Sequence, residues 1–145
     1  MDRLMVKIKD SLGYTICRVA RKIHQQITEA FSPYDMPLGQ WVTLKTLAEN
    51  DGISQKQLSL LLEKDQNNVK AMIDRLERKQ LLRREPNMTD RRAFSLAITE
   101  EGKSLVQKLA ALDEQAIREI EMPLKETERA ELRALLAKLE QQLDD

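Results

Sequence analysis

Gln66, Asn67, Asn68, Lys70 and Arg75 lie close together on one short segment, and their side chains are amides and cations. Amides so grouped can pair bidentately with adenine N6 and N7, while the cations can reach guanine or a phosphate. Downstream, Asp90-Arg91-Arg92 sets one carboxylate beside two guanidiniums, so one arginine can be braced while another projects. A projecting arginine on a narrow loop suits the electronegative minor groove of a duplex. Catalytic chemistry has little to build on. His24 is the only histidine and Cys17 the only thiol, which excludes His/Cys metal clusters within one chain and leaves any Ser-His-Asp arrangement with His24 alone as its base.

The elements that must position these residues follow from apolar spacing. Val69, Met72, Ile73 and Leu76 recur at three- and four-residue steps, which predicts an amphipathic helix with those four side chains inward. Gln66, Asn67, Asn68, Lys70, Ala71, Asp74 and Arg75 are then left outward. Asp65 stands at the N-cap, so the three amides occupy the first helical turn. A solvated face of an ordinary helix is the plain alternative. Upstream, Ser54-Gln55-Lys56-Gln57 has the S-x-x-Q pattern of a capping box and opens a helix bearing Leu58, Leu61 and Leu62. Only Glu63-Lys64-Asp65 separates the two helices, a helix-turn-helix spacing. After the second helix, Leu81-Leu82-Arg83-Arg84 leads into Glu85-Pro86-Asn87-Met88-Thr89-Asp90. Phe94, Leu96 and Ile98 then alternate with Ser95 and Ala97, giving strand, turn, strand. Arg83 and Arg84 at the hairpin base are candidates for flanking phosphates. A surface hairpin with an incidental Asp-Arg pair is the bland reading.

Taken together, this segment resembles the winged-helix core of the MarR family of bacterial transcription regulators. The resemblance is carried by Leu58 to Leu62, Asp74-Arg75-Leu76-Glu77-Arg78-Lys79, Leu81-Leu82-Arg83-Arg84, and Asp90-Arg91-Arg92 followed by Leu96 and Thr99-Glu100-Glu101-Gly102. It extends over nearly all of the chain. One departure is Gln80, where the family usually has glycine; Gln must take a left-handed conformation at about 1 kcal/mol or end the helix differently. Another is Asn67-Asn68, where many relatives carry small hydroxyl residues.

The resemblance implies a mainly α fold with a small β-hairpin wing. It also implies a homodimer on a pseudo-palindromic operator in double-stranded DNA, acting as a repressor rather than an activator, with no cofactor. The DNA-contacting set it suggests is Ser54, Gln55, Gln66, Asn67, Asn68, Lys70, Ala71, Arg75, Arg83, Arg84, Asp90, Arg91 and Arg92, with Arg92 as the D-x-R arginine. In the family a phenolic or other aromatic effector often occupies a cleft between the dimer helices and the winged helix. Arg21 and His24 are the candidates here for a carboxylate clamp, and Trp41 for an aromatic wall. The bland roles are a surface charge, a hydrogen-bonded interface residue and a core tryptophan.

Composition agrees. A chain of 145 residues is one domain's worth. The winged-helix core is expected at about 37–98, with helical dimerisation regions at about 1–32 and 99–145. Formal charge is zero overall, yet residues 64 to 92 hold nine Lys and Arg against five acids, whereas residues 99 to 145 hold seven against twelve. Positive charge therefore concentrates where phosphates would be met. No apolar run approaches a membrane span, and the first residues lack a signal-peptide core, so a cytoplasmic location is the default.

Leu4, Ile8, Leu12, Ile16, Ala20, Ile23, Ile27 and Phe31 form one stripe of a long first helix ended by Ser32-Pro33. Pro37 opens a second helix burying Leu38, Trp41, Val42 and Leu47. Thr99 is placed as the N-cap of a fifth helix, Pro123 interrupts it, and a last helix displays Leu132, Leu135, Leu136, Leu139 and Leu143. The terminal helices hold more leucine than a core of this size needs, so Leu4, Ile8, Leu12 and the last-helix leucines are assigned to a dimer interface; folding back as a bundle is the alternative. Cys17 reads as a buried small hydrophobe, with thiol-based redox sensing as a lesser alternative. The competing class is a winged-helix module that docks protein and reads no DNA; it would need an apolar exposed face on the second motif helix.

Overall fold

A computed structural model describes residues 6–90 and 93–145 of the chain. Helix α1 runs Leu12–Phe31, α2 Leu38–Glu49, α3 Gln55–Leu62 and α4 Gln66–Arg78. Strands β1 (Leu82–Pro86) and β2 (Phe94–Ile98) follow, then α5 (Glu100–Glu121) and α6 (Glu126–Asp144). The strands pair antiparallel, with Leu82 opposite Ile98 and Pro86 opposite Phe94.

Local chemistry starts each central helix as its sequence predicts. Ser54 and Gln57 close a reciprocal capping box on α3, the Ser54 Oγ accepting from Gln57 N at 3.1 Å and Gln57 Oε1 accepting from Ser54 N at 2.9 Å. Asp65 caps α4 by accepting from Asn68 N at 2.9 Å, and Thr99 caps α5 by accepting from Gly102 N at 3.0 Å. Helix α4 ends in a Schellman arrangement, with Gln80 N donating to Glu77 O and Leu81 N to Leu76 O. Gln80 takes the left-handed conformation this requires, φ +64°. Gln80→Gly should therefore raise stability by about 1 kcal/mol, read as a higher denaturant midpoint at unchanged slope. An unchanged midpoint would mean that Gln80 is not strained there.

The core lies where α2 meets α1, α3, α4, α5 and β2. Phe31, Leu44, Leu47, Leu58, Ile73, Leu76, Leu82, Leu96 and Leu109 are fully enclosed. Val69, Ile73 and Leu76 turn inward from α4, with Met72 half-buried beside them. The segment 52–54 flanks β2 on its free edge: Gly52 N donates to Leu96 O at 2.9 Å and Leu96 N to Ile53 O at 2.8 Å. The wing's second strand is thus tied to the start of α3.

Several expectations are corrected. Helix α1 begins only at Leu12, because Ser11 is extended and Ile8–Asp10 forms a separate 3-10 turn. Ile8 and Leu12 are 69% and 66% exposed, so nothing in this chain rewards extending the helix over them. Leu4 lies outside the described residues. Val42 is exposed and Leu44 is buried in its stead, since α2 is packed on several sides and one stripe does not describe it. Cys17 is exposed. Against the bundle alternative, α6 does not fold its leucines into this chain's core: no residue of it is buried, and Leu132, Leu135, Leu136, Leu139 and Leu143 are between 40 and 84% exposed.

On α5, burial pushes the carboxyl of Asp113 up, with Glu114 adding to the effect; Lys45 and the Trp41 indole pull it down. The folded chain then holds this proton more readily than the unfolded chain. Stability accordingly falls as pH rises from the ordinary carboxylate range through the raised value, and the penalty is fully present at neutral pH. Asp113→Asn should raise Tm at pH 7, and the gain should vanish once the pH is about 2–3, well below the ordinary Asp value, where both states are protonated. A gain of equal size at both ends would remove ionisation as its cause.

Candidate nucleic-acid interface

Helix α4 divides its residues cleanly. Its apolar stripe is inward, and Gln66, Asn67, Asn68, Lys70 and Arg75 are all exposed, with Ala71 half-buried between them. The ridge they form is flanked by a depression on each side. On one side a groove of about 520 Å³ runs between the starts of α3 and α4 and the wing, lined by Ser54, Gln55, Lys56, Gln57, Gln66, Arg84, Asn87, Asp90 and Phe94. On the other, Glu63, Lys64, Asp65, Asn68, Ala71, Met72 and Arg75 line a second depression. A convex polar ridge with hollows beside it is the shape a helix presents when it enters a major groove while its neighbours straddle the backbone.

The side chains are partly pre-set. Asn68 Nδ2 donates to Asp65 Oδ2 at 2.8 Å, so the capping carboxylate also orients the amide. The two helices of the motif touch through Gln55 Nε2, which donates to Gln66 O at 3.5 Å. Lys70 reaches Asp74 at 3.4 Å, an exposed pair of little energetic weight, which leaves its ammonium available to another anion. Arg83 is exposed and pairs with Glu85 at 2.9 Å.

Arg84 departs from its expected role as a phosphate contact. Its Nη1 donates to Glu77 Oε1 at 2.7 Å and its Nη2 to Asp74 Oδ1 at 2.6 Å, while its backbone N donates to Glu77 Oε2 at 3.1 Å. The guanidinium is occupied by two carboxylates of α4, so Arg84 braces the wing against that helix. The hydrogen bond from Arg84 holds the Asp74 carboxyl below its ordinary value, with desolvation opposing it and Lys70 adding to it. Asp74 and Glu77 lie three residues apart on one helix face. That spacing is readable, but the strand residue that meets them is set by the wing's return path.

At the wing tip, Asn87 Oδ1 accepts from Thr89 N at 2.9 Å and from Thr89 Oγ1 at 2.7 Å, closing an Asx turn that presents Met88 to solvent. Phe94, expected on the same face as Leu96 and Ile98, is 54% exposed, because the hairpin's distal end has left the core. Asp90 is exposed; Arg91 and Arg92, its expected partners, lie outside the described residues.

The residues named for an effector do not assemble as expected. Arg21 and His24 are exposed on α1, where His24 Nδ1 lies 3.4 Å from Thr28 Oγ1. Trp41 is only 3% exposed and stands edge-on to Phe31 at 5.2 Å, so it is core and offers no open wall. Composition alone did not show that α2 is enclosed on this side. An apolar cleft does exist between α1, α5 and α6, lined by Val19, Ile23, Ile120, Leu124, Leu132 and Leu136 with Arg129 and Arg133.

The sequence model of the MarR family matches residues 36–94, the span from the end of the α1–α2 connector to the wing. The chain is 31% identical over 132 residues to the HTH-type transcriptional regulator PecS of Dickeya dadantii, covering 89% of this chain and 80% of that one. The chain belongs to the MarR family. Like its relatives in that family it is a DNA-binding transcription regulator and not an enzyme. Among solved MarR-family structures, a mutant of E. coli MarR complexed with operator DNA matches with a TM-score of 0.84 and 28% identity, over 88% of this chain and 92% of that one. Bordetella bronchiseptica BpsR, whose DNA binding is regulated by 6-hydroxynicotinic acid, shares the fold with a TM-score of 0.86 at 22% identity, over 93% of this chain and 96% of that one. No helix among the described residues is long and apolar enough to cross a membrane.

Proposed function

We propose that the chain binds a pseudo-palindromic operator as a homodimer, represses transcription by occupying it, and leaves it when a small aromatic effector binds. The observation that carries this reading is the outward face of α4, where amides and cations stand exposed between two depressions and no apolar side chain is offered to a protein partner. Gln66, Asn67, Asn68, Lys70 and Arg75 read or flank the major groove, with Ser54, Gln55 and Ala71 at its margins. Arg83 meets backbone phosphate, and Arg91 and Arg92 serve the wing. The core at about 37–98 is the reading head, and the flanking helices are the dimerisation region.

The homodimer is supported by apolar surface that one copy leaves uncovered. Ile8, Leu12, Leu132, Leu135, Leu136, Leu139 and Leu143 are all exposed, too much aliphatic area for an isolated helical scaffold. The effector reading is supported by BpsR and by the cleft between α1, α5 and α6, whose apolar lining suits an aromatic ring and whose charged rim carries Arg129 and Arg133 against one acid, Glu121.

Selection of bound duplexes from a random library at two salt concentrations tests the reading. Enrichment of a two-fold site, with half-sites about one helical turn apart, is the expected result. Weak, steeply salt-dependent binding without a motif would sink it. On the selected site, Asn68→Ala should lose about 1–3 kcal/mol at one base-pair position. A loss equal for every sequence would reassign Asn68 to the backbone.

A further inference from the structure

The connector between α1 and α2 is a 3-10 turn at Ser32–Tyr34, then Asp35 in the left-handed region at φ +49°, buried Met36, and Pro37. It is strapped to the far end of the recognition helix by one side chain. Lys79, the C-cap of α4, donates from its ammonium to the backbone oxygen of Asp35 and to Gln40 Oε1, the latter at 2.6 Å, with the Asp35 carboxylate at 3.7 Å. Gln40 is buried, and Lys79 gives its amide oxygen a charged donor.

The next two residues hold the other flanking helix. Gln80 O accepts from Thr99 Oγ1 at 2.7 Å, and Leu81 O accepts from Thr99 N at 3.1 Å. Both routes out of the winged helix, to α1 through Asp35 and to α5 through Thr99, are therefore fastened to residues 79–81. The α5 side is held by one backbone and one hydroxyl hydrogen bond from Thr99, both close to the chain itself. The α1 side hangs on a lysine with a long, flexible stem.

We infer that Lys79 is a positioning residue that sets how far apart the two reading heads of the dimer stand, and so which half-site spacing is preferred. This rests on the dimeric operator reading above. In a two-fold dimer held by α1 and α6, the placement of each α4 relative to α1 passes through the α1–α2 connector and α2, and Lys79 is the polar link from α4 to both.

The test uses the full chain and a set of duplexes carrying the selected half-sites at the selected spacing and at one or two base pairs more or less. For Lys79→Met, the affinity penalty for a one-base-pair change should shrink by about threefold or more. Base preference within each half-site should not change. Lys79→Arg, which keeps a charged donor, should restore the wild-type profile. Loss of stability alone would weaken all spacings alike and would not flatten the profile. Should Lys79→Met fail to fold, Lys79→Gln serves as the neutral variant with the same expectation. A neutral variant that folds and keeps the wild-type spacing profile overturns the inference while leaving the dimeric reading intact. A wild-type chain that selects only single half-sites overturns both, and that result appears before any variant is compared.

Discussion

Gly102→Ala should lower stability by about 2–4 kcal/mol and Tm by about 10 °C. The cause is close approach rather than backbone conformation. A Cβ on Gly102 would lie 2.2 Å from the backbone oxygen of Leu81 and 2.7 Å from Ile98 Cγ1. That oxygen cannot retreat, because it accepts from Thr99 N at 3.1 Å and belongs to the turn that ends α4. The first turn of α5 must move off the β1 junction, at the expense of the Thr99 cap. Gly39→Ala is the matched control: its Cβ would meet the Met72 methyl at 2.9 Å, the far end of a flexible side chain. Thermal denaturation of the two variants should separate them widely. Equal Tm values would mean that α5 is held less closely than described.

Arg84→Ala should reduce operator affinity by about tenfold or more, without changing which bases are preferred. Three hydrogen bonds at 2.6 to 3.1 Å join Arg84 to the side chains of Asp74 and Glu77. Truncation removes the two guanidinium bonds, leaves only the backbone link from residue 84 to Glu77, and strips Glu77 of its cation and Asp74 of all but Lys70, near the proposed phosphate-facing surface. Part of the loss is then electrostatic and should itself depend on salt. Arg84→Lys should recover only a fraction, since an ammonium cannot serve both carboxylates in the same fork. If Arg84→Ala instead left affinity unchanged at moderate salt, the wing would need no brace, and its contribution to binding would be small.

Features set by neighbours in the chain were readable, and those set by distant ones were not. Ser54, Asp65 and Thr99 cap their helices through residues three positions away, and the Val69-Ile73-Leu76 stripe needs only a helix and an inside. Arg84 was assigned to phosphate because its carboxylate partners, ten and seven residues earlier, become neighbours only when the wing folds back. The role of Lys79 is hidden for the same reason: its partners are Asp35 and Gln40, some forty residues earlier. Val42 is exposed where burial is expected, and Leu44 is buried in its stead, because α2 is surrounded and a period of 3.6 ranks faces only for a helix with one wet side. The long apolar stripe through Ile8 and Leu12 failed as a guide to where α1 begins, since a stripe records that burial happens and is silent on which copy supplies the cover.

The division of α4 into an inward stripe and an outward ridge bears on how such a regulator changes its target. Gln66, Asn67 and Arg75 are exposed and contribute no side-chain hydrogen bond described within the chain, so exchanging them should alter stability by no more than about 0.5 kcal/mol. Position 68 is different, because its amide shares Asp65 with the helix cap. On the proposed reading, operator preference can therefore drift through three positions almost independently of folding. A change at Asn68 would alter the proposed vocabulary and also free one oxygen of the capping carboxylate, while the cap bond from the backbone N of residue 68 remains.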